Sequence, residues 1–269
     1  MTTPQSGHIP RSLRPLLLGG VVTVLLLLLV LLAGCRSTPR FQGMEAQQIY
    51  EMGMQDLEDE EWDDAIEAFE QLLSTAPGFP RRAEARFSLA QAHYGKEEYI
   101  LAANEYELFL MRHPMHALAP QASLGVCRSY QALAPIPPRD QEYTRRAETA
   151  CRQTANEFQG TEVAQEAARI REEMTDRLAE KWYLEGRFYQ RRNMHPSALI
   201  IFQDVVDYYP QTRWAPRAML RLYRSYEEMG WTEEMNEAAQ RLLMLYPDSD
   251  EARRLSEERA DGNGPSGGG

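Results

Sequence analysis

The three cysteines carry the most nucleophilic side chains in this chain, and they stand in two different settings. Cys35 closes the most apolar stretch, directly after Leu32-Ala33-Gly34 and just before Arg36-Ser37-Thr38-Pro39. Small residues beside a thiol leave the backbone open to a protease and the sulfur open to an electrophile. The chemistry on offer there is covalent modification of Cys35 and cleavage in front of it. Cys127 and Cys151 lie inside helical patterns, and neither belongs to a CxxC pair, which argues against redox catalysis. They sit at offsets where the two helices of a hairpin touch, so a disulfide is geometrically possible in an exported protein; two buried free thiols are the competing reading.

The remaining candidates for chemistry do not converge. His93, His113, His116 and His195 are scattered, and Pro114 breaks the helix between His113 and His116. That pair lacks a third ligand and reads as loop residues, not as a metal site. There is no HExxH, no phosphate loop, no glycine-rich dinucleotide turn and no serine elbow. Carboxylate pairs such as Glu172-Glu173 read as solvated helix faces. The expectation is a protein that is not an enzyme, with no cofactor and no metal.

Charge narrows the partners. The 269 residues hold 29 Lys and Arg against 40 Asp and Glu, a net charge of −11. The first 34 residues contribute Arg11 and Arg14 and no acid, so the rest is more acidic still. Such a surface repels nucleic acid, whose phosphates need a basic patch, and is equally unsuited to polybasic membrane binding.

His8, Arg11 and Arg14 precede the apolar run from Leu16 to Leu32, giving the positive and hydrophobic regions of an export signal. An uncleaved transmembrane anchor is the alternative, since about 18 apolar residues can span a bilayer. The end of the run decides: Leu32-Ala33-Gly34-Cys35 resembles a bacterial lipobox. That resemblance implies cleavage before Cys35, a diacylglycerol on its thiol, and further acylation of the new N-terminus. Several acyl chains anchor stably where one is marginal. Arg36 stands where an aspartate would favour inner-membrane retention, so the outer membrane is the expected address. Residues 1–34 are thus a signal peptide and 35–44 a lipidated tether. Residues 36–44 reach roughly 30 Å when extended.

The body is rich in Ala, Glu, Gln, Arg and Leu and sparse in β-branched residues, which predicts an all-α fold. It also repeats. Pro77 and Pro114 are 37 residues apart, as are Pro210 and Pro247, and each ends a helical pattern. Twelve residues before these prolines stand Ala65, Ala102, Ala198 and Met235; eight before stand Phe69, Tyr106, Phe202 and Ala239. Twenty-four before stand Gly53, Ala90, Gly186 and Tyr223. Small residues at two fixed places let paired helices approach, and the aromatic fills the gap toward the next unit. These offsets resemble the tetratricopeptide repeat, lengthened by three from its usual period of about 34. The last unit fits more loosely, as a capping repeat does.

A stretched third unit lies between Pro114 and Lys181. Its helices are expected over Ala122–Ala132 and Tyr143–Phe158, separated by the proline-rich "APIPPRDQ". Thr161 then caps an extra connecting helix ending at Leu178. The prediction is a superhelical solenoid of five tetratricopeptide-like hairpins: repeats 1–2 over 45–116, repeat 3 with its insertion and connecting helix over 117–179, and repeats 4–5 over 180–259. Residues 260–269, with too little to bury, form a disordered tail.

Several segments carry a closer resemblance. "AIEAFEQLLSTAP" and "AANEYELFLMRHP" look like the first two second-helix segments of the BamD family, lipoproteins of outer-membrane β-barrel assembly. "PPRDQ" matches that family's third-unit insertion, and "EFQGTEVAQEAARIREEMTDRLAEKWYLEGRFYQRR" and "IIFQDVVDYYPQT" follow its fourth unit. The resemblance covers roughly residues 45–250. It implies a scaffold on the periplasmic face of the outer membrane. The C-terminal hairpins would dock on a POTRA domain of a BamA-like barrel subunit, and the N-terminal hairpins would receive unfolded outer-membrane proteins. Trp182 stands where the family often has an acid. Ile200 and Ile201 stand where it often has Asn-Arg, so the ion pair associated with that arginine is not available. The alternative function is another periplasmic tetratricopeptide lipoprotein, coordinating envelope or peptidoglycan processes.

Two sets of residues are candidates for binding. Counted from the prolines, Tyr50 and Met54, then Phe87 and Gln91, with Tyr94 a turn on, should face the concave side as a sequence-tolerant peptide groove. Ordinary packing between repeats is the competing reading for Tyr50 and Phe87. Arg213, Trp214, Arg217 and Arg221 form a basic-aromatic cluster of the composition enriched at interfaces, and are the candidate partner surface.

Overall fold

The computed structural model describes residues 40–260. The expected export signal, Cys35 and the expected tail after Ala260 lie outside the described residues. Ahead of the first helix, Arg40 to Gly43 form a turn. From Ala46 the chain is all-α, with no strand among the described residues.

Five hairpins follow one another. They are α1 (Ala46–Glu58) with α2 (Trp62–Thr75), α3 (Arg82–Gly95) with α4 (Tyr99–Arg112), and α5 (Ala119–Leu133) with α6 (Glu142–Glu157). Then come α7 (Glu162–Gln190) with α8 (His195–Tyr208), and α9 (Trp214–Met229) with α10 (Thr232–Leu245); α11 (Asp250–Ala260) closes the array. Each helix packs on its neighbours in sequence, and each odd-numbered helix also touches the next odd-numbered one. Among the described residues no two even-numbered helices touch. The odd helices therefore form an inner layer and the even ones an outer layer, the construction of a helical-repeat solenoid.

The prolines stop the outer helices as their chemistry requires. α2, α4, α8 and α10 end at Thr75, Arg112, Tyr208 and Leu245, each two residues short of its proline. The intervening residues Ala76, His113, Tyr209 and Tyr246 share one non-helical backbone conformation, with φ of −121°, −136°, −129° and −134°. A proline ring crowds the residue before it out of the helical region. In the third hairpin, Gln159 takes the proline's place and α6 still ends at Glu157.

The repeated small and aromatic positions meet inside the hairpins. Ala65, Ala102, Ala147 and Ala198 are fully buried on the outer helices. A Cβ on Gly53 would lie 3.0 Å from the Phe69 ring, and one on Gly186 would lie 2.6 Å from the Phe202 ring. The Tyr106 ring reaches across to Gly125 of the next inner helix, where a Cβ would come within 2.5 Å.

Two features differ from the sequence expectation. The connecting helix and the inner helix of the fourth hairpin are continuous, so the expected boundary at 179/180 falls inside the 29-residue α7. Nothing between Met174 and Glu185 interrupts a helix, since the stretch has no glycine and no proline. At 1.5 Å per residue α7 is about 43 Å long. It supplies Ala167, Ile170 and Met174 to the core of hairpins two and three, and Ala179 and Tyr183 to the core of hairpins four and five. Its start is the expected one: the Thr161 hydroxyl accepts from the Ala164 N–H at 3.2 Å. The second difference is α11, which follows the fifth hairpin as an unpaired helix and buries Ala252 and Leu255. Its apolar residues are too few to announce it in the sequence.

Candidate partner-binding surfaces

Tyr50 and Met54 lie on α1, and Phe87, Gln91 and Tyr94 on α3, so the structure brings this set onto two touching inner helices. Their environments differ. Tyr50 is 2% exposed. Its ring packs on Phe69 at 6.2 Å and Phe79 at 5.6 Å, and the Arg81 guanidinium covers it at 4.3 Å. Burial raises its phenol pKa above the ordinary value. Tyr50 is thus packing between hairpins, and its expected place as a groove-lining side chain is corrected accordingly. Phe87, half-buried, stands edge-on to Tyr106 at 5.5 Å and Phe109 at 5.9 Å. The Met54 sulfur accepts from the Ser88 hydroxyl at 3.4 Å and so links α1 to α3. Tyr94, half-buried, meets Tyr99 at 5.2 Å, and Gln91 is exposed. Spacing alone cannot separate an aromatic that packs from one that waits for a ligand, because both face the same side of the inner helix.

The second set gathers around Trp214 at the start of α9. Trp214 is 8% exposed, so it supports the cluster from beneath and does not present itself to a partner. Its indole N–H donates to Asp176 of α7 at 3.2 Å, and Tyr183 lies against the ring at 5.1 Å. The guanidinium groups of Arg213 and Arg217 sit over the indole at 5.3 and 4.8 Å, within cation–π range. Arg213 is exposed and pairs with Asp176 at 3.0 Å; Arg217 pairs with Glu251 of α11 at 3.5 Å. Arg221 donates to the Tyr183 hydroxyl at 3.4 Å. The four residues lie together at the start of α9 but divide between two neighbours. Arg213 leans toward α7, whereas Arg217 and Arg221 line a cavity of about 560 Å³ between α7, α9 and α11.

The third hairpin supplies features that spacing did not rank. Cys127 and Cys151 are joined by a disulfide, with their Cα atoms 4.9 Å apart. The proline-rich insertion is a built loop organised by Gln141, whose side chain is buried. The Gln141 amide donates to the carbonyls of Ile136, Pro137 and Arg139, and its oxygen accepts from the Thr144 hydroxyl at 2.6 Å. Exposed Ile136, Arg139 and Asp140 stand on this loop. The glutamine was legible only as the last letter of "PPRDQ". Of the three departures from the resembled pattern, Ile200 is 66% exposed, Ile201 is half-buried, and Trp182 packs at the edge of the C-terminal core.

Among the described residues no helix is long and apolar enough to cross a membrane. Comparison with known proteins bears on identity. The chain is 25% identical over 231 residues to outer membrane protein assembly factor BamD of Rickettsia prowazekii, covering 85% of this chain and 92% of that one. It is 24% identical over 233 residues to the protein of the same name from Vibrio cholerae, covering 82% and 96%. Among solved structures, a tetratricopeptide-repeat protein of Bacteroides fragilis is similar over 81% of this chain and 98% of that one, at 13% identity and a TM-score of 0.46. The TPR2AB domain of yeast Sti1 is similar over 81% and 84%, at 14% identity and a TM-score of 0.43. The family model described as YfiO, outer membrane lipoprotein, matches residues 42–242, so the chain belongs to that family.

Proposed function

We propose that this protein is a lipid-anchored scaffold of outer-membrane protein assembly that binds other chains and catalyses no reaction. The observation that carries the reading is the family match over 42–242, which takes in the five hairpins up to the last turn of α10. The relatives named as assembly factors, matched over most of their length, support it. So does the architecture, because an inner layer of stacked helices offers a long surface for extended segments.

Cys35 carries the lipid in this reading, and the tether after it holds the body against the periplasmic face of the outer membrane. The barrel-forming subunit docks through its POTRA domain on the C-terminal hairpins. Arg213 is the exposed part of that surface, Trp214 is its support, and the half-buried Arg217 and Arg221 line the cavity beside it. Unfolded outer-membrane proteins meet the N-terminal hairpins, where Gln91, Tyr94, Phe87 and Met54 offer mixed polar and apolar surface above the buried Tyr50.

The test is purification of the lipidated protein from its own membranes, with its bound proteins identified. A barrel subunit with POTRA domains among them is the expected result, and its absence overturns the assembly reading. Cys35→Ser should stall processing or release the protein; normal processing and retention remove the anchor.

A further inference from the structure

We propose that the cavity between α7, α9 and α11 binds an acidic segment of a partner protein in extended form. The inference holds whichever protein the C-terminal hairpins dock on. The cavity of about 560 Å³ is lined by Arg187 of α7, by Arg217, Arg221 and Arg224 of α9, and by Arg254 of α11. Such a concentration of guanidinium stands out in a chain of net charge −11.

The local balance of charge favours an anion. The cavity also holds Asp250, Glu251 and Glu258, but each carboxylate is already engaged. Asp250 pairs with Arg253, Glu251 with Arg217, and Glu258 with Arg224. That leaves Arg187, Arg221 and Arg254 with no carboxylate partner among the described residues. Arg187 lies over the Tyr183 ring at 6.0 Å, and Arg221 donates only to the Tyr183 hydroxyl. A guanidinium fork recognises carboxylates by paired hydrogen bonds, so these three are recognition groups without an object.

Their placement selects the kind of anion. They stand on three successive inner helices, and packed helices lie about 8–10 Å apart. The three helix axes therefore span roughly 20 Å, a length that an extended peptide covers in about six residues. Three guanidinium groups carried by three helices suit several carboxylates along one chain better than a single phosphate or headgroup. Between the arginines, Tyr183, Leu184, Trp214 and Leu220 add apolar and aromatic lining. An extended chain projects alternate side chains to opposite faces, so acidic residues alternating with apolar ones match this floor.

The test is a fluorescence-anisotropy titration of the full-length protein in detergent. The probe is a labelled decapeptide of alternating glutamate and phenylalanine, compared with its lysine–phenylalanine counterpart. The acidic peptide should bind saturably and more weakly as salt rises, and the basic one should not bind. Arg187→Gln, Arg221→Gln and Arg254→Gln should each weaken binding about tenfold, as expected for a lost charge-assisted hydrogen bond. Arg169→Gln, outside the cavity, should leave binding unchanged. Equal affinity for both peptides, or for the wild type and all three variants, overturns the proposal. So does binding of phosphatidylglycerol vesicles that the acidic peptide fails to displace, which would assign the arginines to lipid.

Discussion

Cys127 of α5 is bonded to Cys151 of α6 at a point where both side chains are fully buried. The bond closes the hairpin whose helices are separated by the long 134–141 loop. A cross-link across a separation of 24 residues removes freedom mainly from the unfolded chain. Replacing both cysteines by alanine should lower stability by about 3 kcal/mol, read as the urea midpoint of unfolding. Reductant should do the same to the wild type and nothing to the double variant. An unchanged midpoint in the double variant would show that the bond contributes nothing.

Gly186 and Gly53 occupy one repeat position but leave different room. A Cβ at Gly186 would meet the Phe202 ring at 2.6 Å, and one at Gly53 would meet Phe69 at 3.0 Å. Overpacking a filled core costs about 1–3 kcal/mol. Gly186→Ala should fall in that range and Gly53→Ala should cost less, because the second hairpin already carries a buried Ala90 at this place. Thermal midpoints in the reverse order would mean that the two hairpins do not pack alike.

Prolines and small-residue offsets made the hairpins legible in the sequence, because each acts through its own backbone or its own volume. The last hairpin looked loose for the same reason. It has Tyr223 where hairpins one, two and four have Gly or Ala, and Ala239 where they have an aromatic. Both are buried in one C-terminal core, so large and small have exchanged sides at nearly constant volume. The continuity of α7 was not legible, because the pattern of two repeats runs through it in different registers. The roles within the candidate sites were hidden too. Tyr50 and Tyr94 have the same residue type on the same layer, and only the surrounding rings and Arg81 bury one of them.

Glu60, Glu97 and Asn193 adopt positive φ of 59°, 65° and 57°, and Gly230 stands at 73°. Each lies seventeen residues before its proline, so one left-handed residue turns four of the hairpins. A glutamate pays a steric cost there that glycine does not. Glu97→Gly should therefore stabilise the protein by about 0.5–1 kcal/mol, after the extra freedom glycine gives the unfolded chain is counted. Destabilisation by that amount would indicate that Glu97 contributes a contact through its side chain.

Asp176 accepts from the Trp214 indole and from Arg213, and so ties α7 to α9. Asp176→Ala leaves a nearly buried N–H without an acceptor, at a cost of about 1–3 kcal/mol. Asp176→Asn keeps an acceptor and should recover most of the loss in the same urea titration. Equal losses for the two variants would place the effect in the charge and not in the indole bond.

Acid should weaken the fold in two steps. His113 caps α4 and is held below its ordinary pKa of 6.5, first by burial and then by His116, with Arg86 and Arg112 adding to the effect and Glu84 opposing it. Glu98 is held below its ordinary 4.5 by hydrogen bonds from Lys96 and then His93. In both cases the folded protein binds protons less readily than the unfolded chain. The stability these groups contribute is complete above their unfolded pKa values and is lost as pH falls through the folded ones. The thermal midpoint should begin to fall below about pH 6.5, and fall further below about pH 4.5. His113→Gln should flatten the first step and keep the second, and Glu98→Gln should do the reverse. The sign is fixed by the direction of each shift, so a wild-type midpoint that rises between pH 7 and pH 5 would contradict the burial of His113.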